Sequence, residues 1–190
     1  MKVGLFFGSF NPIHVGHLII ANHILNEVPL NSLWFIVSPQ NPLKKTGSLL
    51  KAYDRLHLVR TATENDKRIR VSDVEFHLPQ PSYTIDTLTY LQEKYQDKRF
   101  SIIMGSDSFQ NLHNWKNFET LIKNYEILIY RRPNFEVINS LKANIEVLDA
   151  PLLDISSTEI RKMIKNGKSI RYLVPENVLE EIESSHFYKS

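Results

Sequence analysis

The amino-acid sequence predicts an α/β fold: a doubly wound, mainly parallel sheet with helices on both faces and a C-terminal helical extension. Three observations predict it. Short apolar runs of strand length alternate with segments of helical period through most of the chain. One of those runs, "FSIIMG" at residues 100–105, is apolar almost throughout, as a strand covered on both faces is. From about residue 155 onward only helical patterns remain.

The elements follow in order. "KVGLFF" (2–7) reads as a buried strand, and the loop 8–12 leaves it through Gly8 and Asn11-Pro12. From about residue 15 to 26, Leu18, Ile19, Ala21, Ile24 and Leu25 recur at helical spacing. "SLWFIVS" (32–38) is a second strand, followed by a polar loop with two prolines, "PQNPLKKTGS". A helix over about 52–65 carries Tyr53, Leu56, Val59 and Ala62 on one face. "IRVSDVEF" (69–76) reads as a strand, "TIDTLTYLQEKY" (84–95) as a helix and "FSIIMG" as a strand. A short helix in "WKNFETLI" (115–122) and a strand in "YEILIY" (125–130) come next, then a weaker strand in "ANIEVLD" (143–149). Two helices, "STEIRKMIKNG" and "PENVLEEIESS", close the chain. No repeat, low-complexity tract or linker interrupts residues 1–190. They read as a single domain, with about 155–190 as its helical C-terminal part.

Composition narrows the function classes. The chain has 190 residues, 42% hydrophobic and 23% charged, with a net charge of +2. That charge is too small to argue for nucleic acid. The absence of cysteine excludes disulfides and thiolate metal sites. Residues 3–26 carry no charged side chain, but "VGLFF" is too short for a membrane span and "GSFNP" breaks it. The expectation is a soluble, cytoplasmic protein without membrane or nucleic-acid partners; homo-oligomerisation is left open.

Two stretches carry chemistry. In "GSFNPIHVGH" (8–17), Gly8 permits close approach of a ligand to the backbone, and a helix begins near Val15. The N–H groups and dipole of that helix favour an anion, and His14 and His17 share a face of its first turn. Two imidazoles at a helix N-terminus suit a phosphate under attack, donating to charge that grows in the transition state. A structural pair, His14 closing the turn and His17 half buried, is the alternative. In "ISSTEIR" (155–161), Ser156 and Glu159 have the spacing of a capping box. With Ser157, Thr158 and Arg161 nearby, this second helix start also fits a phosphate. The alternative is an ordinary capped helix with a surface arginine.

Together these stretches resemble the nucleotidylyltransferase superfamily, through His14-Val15-Gly16-His17, the lead-in Gly8 to Pro12, and "ISSTEIR". Three middle stretches resemble the nicotinate-mononucleotide adenylyltransferases: "PSYTIDTL" (81–88), "GSDSFQNLHNW" (105–115) and "RRP" (131–133). With "YLVP" near Tyr172, the resemblance spans almost the whole chain. It implies a Rossmann-like fold and transfer of the adenylyl group of ATP to nicotinate mononucleotide. Pyrophosphate leaves and nicotinate adenine dinucleotide forms. The implied catalytic residues are His14, His17 and Arg161. Gly8, Ser9, Phe10, Gly105, Asp107, Ser156, Ser157 and Thr158 join them in binding ATP. Asn11, Lys44, Ser82, Tyr83, Thr84, Trp115 and Arg132 fall to the mononucleotide. Mg²⁺ is expected to arrive with ATP, without a dedicated protein site.

The middle residues make chemical sense on their own. Trp115 could stack on a pyridine ring, Asp107 accept from ribose hydroxyls, and the helix start at Ser82 to Thr84 take the ring carboxylate. Neither ring site offers an obvious acidic side chain to an amide, so the acid is the expected acceptor. As plain alternatives, Trp115 is core, Asp107 a cap and Tyr83 a surface aromatic. Two departures stand out. The family's Pro-Pro-His-Lys is Asn41-Pro42-Leu43-Lys44, so a histidine contact is lost at Leu43; Lys44 or Lys45 is the candidate replacement, with two plainly solvated lysines as the alternative. The glycine after Arg-Pro is Asn134. The rival readings are nicotinamide mononucleotide or phosphopantetheine as acceptor, and a non-catalytic nucleotide-sensing regulator.

Overall fold

A computed structural model describes residues 1–40, 49–151 and 153–189. Six strands form one sheet in the order β3-β2-β1-β4-β5-β6, and every pairing is parallel. They are β1 (Lys2–Gly8), β2 (Ser32–Val37), β3 (Ile69–Ser72), β4 (Arg99–Gly105), β5 (Glu126–Tyr130) and β6 (Ile145–Leu148). The helices are α1 (Val15–Glu27), α2 (Ala52–Thr63), α3 (Thr84–Lys94), α4 (Ser106–Gln110), α5 (Phe118–Asn124), α6 (Ser157–Lys165) and α7 (Glu176–Ser184).

Alternation along the strands splits the core in two. Phe6, Phe35, Ile103 and Leu128 face one layer, with buried residues of α1, α2, α6 and α7. Leu5, Ile36, Ile102 and Ile127 face the other, with residues of α3 and α5. Both faces of the central strands are thus covered, which is why they read as continuous apolar runs. The C-terminal helices are part of the first layer: Ile160, Val178, Leu179 and Ile182 are buried there. Among the described residues no helix is long and apolar enough to cross a membrane.

Strand order reverses between β1 and β4, so the crevice at their C-terminal ends is where such a sheet takes a ligand. Both strands end there in glycine, Gly8 and Gly105.

Three local expectations change. The strand expected over 69–76 stops at Ser72, and Val74–His77 form a 3₁₀ turn. Ser72 pairs with Ile36, and β2 ends one residue later, so the ladder has no partner to continue on. Helix α4 was not expected; five residues are too few to show a period. The helix expected over 115–122 starts only at Phe118, after Asn117 in a left-handed conformation at φ 51°.

Candidate active site

β1 delivers the chain into the first loop at Gly8. A Cβ there would lie 2.6 Å from the ring of Phe10, which folds back over the strand end. Phe10 has φ 44°, a left-handed conformation that costs a bulky residue on the order of 1–3 kcal/mol. Burial of its ring holds it there. The ring meets Phe6, Phe35 and His17 edge-on at centroid distances of 5.9, 5.1 and 5.1 Å.

His14 is the N-cap of α1, and its ring stacks on that of His17 with centroids 3.7 Å apart. His17 Nδ1 accepts the backbone N–H of His14 at 3.3 Å. Neutral His17 therefore carries its hydrogen on Nε2. His14 is 5% exposed. Burial, then the charge of Arg132, pulls its pKa down to about 4, so it is neutral at pH 7. The helix end itself is less available to an anion than its sequence suggests. The N–H of Val15 donates to the carbonyl of Leu173 at 3.0 Å, and that of His17 to the carbonyl of His14 at 3.0 Å. Donation to a ligand at this end thus rests more on the imidazoles.

α6 brings the second motif against the first. Ser157 Oγ donates to the carbonyl of Pro12 at 2.9 Å, and Arg161 Nη1 to that of Asn11 at 2.7 Å. Ser156 caps α6 by accepting the N–H of Glu159 at 3.2 Å. The reciprocal half of the capping box is not made: the Glu159 carboxylate faces Lys162 at 3.7 Å. Arg161 Nη2 reaches Thr158 Oγ1 at 3.4 Å.

Across the crevice, β4 ends at Gly105. A Cβ there would collide with the Asp107 carboxylate and come within 2.9 Å of Arg132 Nε. Asp107 faces Arg132 at 3.2 Å, and Arg132 Nη2 donates to Tyr130 Oη at 3.2 Å. Asp107 is thus already turned toward a cation, which leaves less of it for ribose hydroxyls than its sequence context suggests.

At the third edge, Tyr83 is the N-cap of α3. Ser82 Oγ and Thr87 Oγ1 donate to the two oxygens of Glu75, at 2.8 and 3.0 Å. Glu75 is 2% exposed, and burial pushes its carboxyl pKa up against those hydrogen bonds. This corrects the expectation that the ring sites offer no acidic side chain. The residue was hidden inside an apparent strand, and the only signal was a carboxylate just ahead of a helix start rich in hydroxyls. Trp115 borders the same space, with Lys116 over the Tyr83 ring at 4.8 Å.

The first loop, the start of α6, the end of β4 and the start of α3 all border one cavity of about 800 Å³. Gly8, Ser9, Phe10, Asn11, His14, His17, Ser82, Tyr83, Thr84, Gly105, Asp107, Trp115, Arg132, Ser156, Ser157, Thr158 and Arg161 all border it. Of the residues singled out in the sequence only Lys44 is missing, because residues 41–48, with Leu43 and Lys45, lie outside the described residues. Glu75, Lys116, Tyr130 and Phe135 also line the cavity and were not foreseen. Among the described residues no group of three or more His, Asp or Glu could hold a metal ion.

Residues 5–163 match the model of the cytidylyltransferase-like family. A relative from Flavobacterium psychrophilum, named "Probable nicotinate-nucleotide adenylyltransferase", is 50% identical over 192 residues, covering 100% of each chain. One of the same name from Flavobacterium johnsoniae is also 50% identical, again over 100% of both. Among solved structures, the nicotinic acid mononucleotide adenylyltransferase of Plasmodium falciparum complexed with NaAD superposes with a TM-score of 0.84. It covers 98% of this chain and 97% of its own, and at 22% identity the likeness shows the fold.

Proposed function

We propose that this chain, which belongs to the cytidylyltransferase-like family and within it to the nicotinate-nucleotide adenylyltransferases, joins the adenylyl group of ATP to nicotinate mononucleotide. A 5′-phosphate oxygen of the mononucleotide attacks the α-phosphorus of ATP in line. The new P–O bond forms as the bond to the β-phosphate oxygen breaks, and pyrophosphate takes the electron pair. No proton has to move in that step, so positioning and charge stabilisation supply the acceleration.

The observation that carries this reading is that a single cavity is bordered by the two histidines and Arg161 and also by Trp115 and the α3 start. His17, through Nε2–H, and neutral His14 donate to the oxygens of the reacting phosphate. Arg161 faces the departing pyrophosphate and Arg132 the phosphate of the mononucleotide. Gly8, Ser9, Phe10, Gly105, Ser156, Ser157 and Thr158 wall the nucleotide, with Asp107 toward its ribose. Asn11, and Lys44 from outside the described residues, complete the mononucleotide side. Trp115 stacks on the pyridine ring, whose carboxylate meets Tyr83 and Thr84 at the α3 start. Mg²⁺ bound to the triphosphate would neutralise part of its charge, and the described residues hold no cluster that would compete for it.

Pyrophosphate release measured with ATP and three acceptors tests the reading. Release with nicotinate mononucleotide, exceeding that with nicotinamide mononucleotide or phosphopantetheine, is the expected result. ATP binding without pyrophosphate release from any acceptor would favour a nucleotide sensor instead.

A further inference from the structure

Among the described residues, the largest fully buried side chain is a cation, Arg55 of α2. Among the described residues no carboxylate pairs with it. Burial pulls its pKa down only to about 10, so it stays charged at neutral pH. Its fork is spent on carbonyl oxygens instead. Nη1 donates to Ser9 at 2.5 Å and to Ser38 at 2.8 Å, Nη2 to Pro39 at 2.9 Å, and Nε to Leu50 at 2.9 Å. Three separate segments are gathered on one group: the first loop, the chain leaving β2, and the approach to α2.

Stability alone is a poor reason for this arrangement. A buried charge without a counter-ion is costly, and apolar residues of similar volume often serve a core as well. The carbonyls give a better reason. Ser9 and Ser38 both border the cavity. Carbonyl oxygens turned into a cavity that takes a triphosphate would repel it; the guanidinium turns them away. In a trans peptide the N–H points opposite to its C=O, so holding the Ser9 carbonyl also turns the Phe10 N–H away from Arg55. The same loop leads into His14 and His17 at the start of α1, and Arg161 holds it again at the Asn11 carbonyl. Tyr188, whose buried hydroxyl has no partner among the described residues, lies within electrostatic reach of both guanidinium groups.

We propose that Arg55 is a positioning residue for adenylyl transfer. It sets the first loop from behind, so that backbone carbonyls face away from the triphosphate and the two imidazoles meet the reacting phosphate. This rests on the reaction proposed above. Arg55 reaches the acceptor side only at one remove: it holds the Ser38 carbonyl, and the Ser38 side chain bonds Glu75, which accepts from Ser82 and Thr87. Loss of its fork is therefore expected to weigh more on the ATP side than on the acceptor side.

Arg55→Met strips four carbonyls of their donor and is liable to misfold. Arg55→Lys keeps the charge and loses the fork, and is the variant to measure. Its comparator is Leu121→Ala, a buried residue of α5 in the other layer, with both shown folded by circular dichroism at the assay temperature. Arg55→Lys is expected to lower kcat about 10- to 100-fold, the scale of a misplaced reacting group. ATP affinity by isothermal titration is expected to fall by a larger factor than the KM for nicotinate mononucleotide rises. The comparator keeps wild-type kcat. An Arg55→Lys enzyme with the kcat and ATP affinity of the comparator overturns the proposal, as does an equal loss on the ATP and acceptor sides. Absence of pyrophosphate release by the wild type would overturn the reaction itself, and the ATP titration would still decide whether Arg55 shapes the nucleotide site.

Discussion

At the scale of single residues, the two histidines have different environments and different tests. His17 keeps a defined tautomer through its bond to the His14 backbone, and its replacement removes one preorganised donor. His17→Ala is expected to cut turnover by roughly 10²–10³ in a protein that still folds; near-normal turnover would contradict the role. His14 is a question of pH. Its pKa is about 4 folded and 6.5 for an ordinary histidine, so the unfolded chain binds more protons between those values. Stability is then fully present above pH 6.5 and is lost as pH falls toward 4, by about 3 kcal/mol at 1.36 kcal/mol per unit. Urea midpoints at pH 7 and pH 4.5 are expected to converge in His14→Gln relative to wild type. An unchanged slope would place the titration elsewhere. The histidines were legible because they follow a glycine and an Asn-Pro turn at a strand end. Glu75 and Arg55 were not. A carboxylate in a strand-like run and an arginine in an amphipathic helix both read as solvated until long-range partners are known, and those partners lie up to 46 residues away.

Among the elements, α3 is the one on which the proposed choice of acceptor rests. Its N-terminal N–H groups and dipole favour a carboxylate by up to about 2 kcal/mol when partly buried. The carboxyl of Glu75, which accepts from Ser82 and Thr87, offers an amide an acceptor and works the other way. The net expectation is a preference for nicotinate over nicotinamide mononucleotide of about tenfold in kcat/KM, one factor of ten for each 1.4 kcal/mol or so. Trp115→Ala is expected to lower both efficiencies alike, since stacking does not distinguish acid from amide. Equal efficiencies in the wild type would move the carboxylate elsewhere. α6 has its own test. Arg161→Ala is expected to cost ATP about 1.5–3 kcal/mol and mononucleotide affinity less, as read by titration calorimetry. Elements with a strong period were legible from sequence: the strands covered on both faces and the helices α1, α2, α3, α6 and α7. The end of β3 was not, because it depends on where β2 stops, and α4 is too short to show a pattern.

In the whole molecule, the strand order 3-2-1-4-5-6 places the crevice, and the first loop and the start of α6 meet beside it. The alternation of strands and helices gave the fold class, but not which layer each helix covers. That was settled by burial: α6 and α7 share the layer of α1 and α2. Ile182→Ala is therefore expected to cost the whole protein about 2–5 kcal/mol, measured as a lower urea midpoint in one cooperative transition. Loss of α7 alone, in a separate transition, would show a detachable appendage. The bonds from Ser157 to Pro12 and from Arg161 to Asn11 also have a consequence in time. Ser157 follows Pro12 by 145 residues, which take roughly 7–30 s to synthesise at about 5–20 residues per second. Through that interval a nascent chain can carry both histidines and most of the sheet with the nucleotide wall still unmade. On the proposed reaction, nucleotide capture would wait for the last moments of translation, and a chain released early would hold no ATP to protect it from proteolysis.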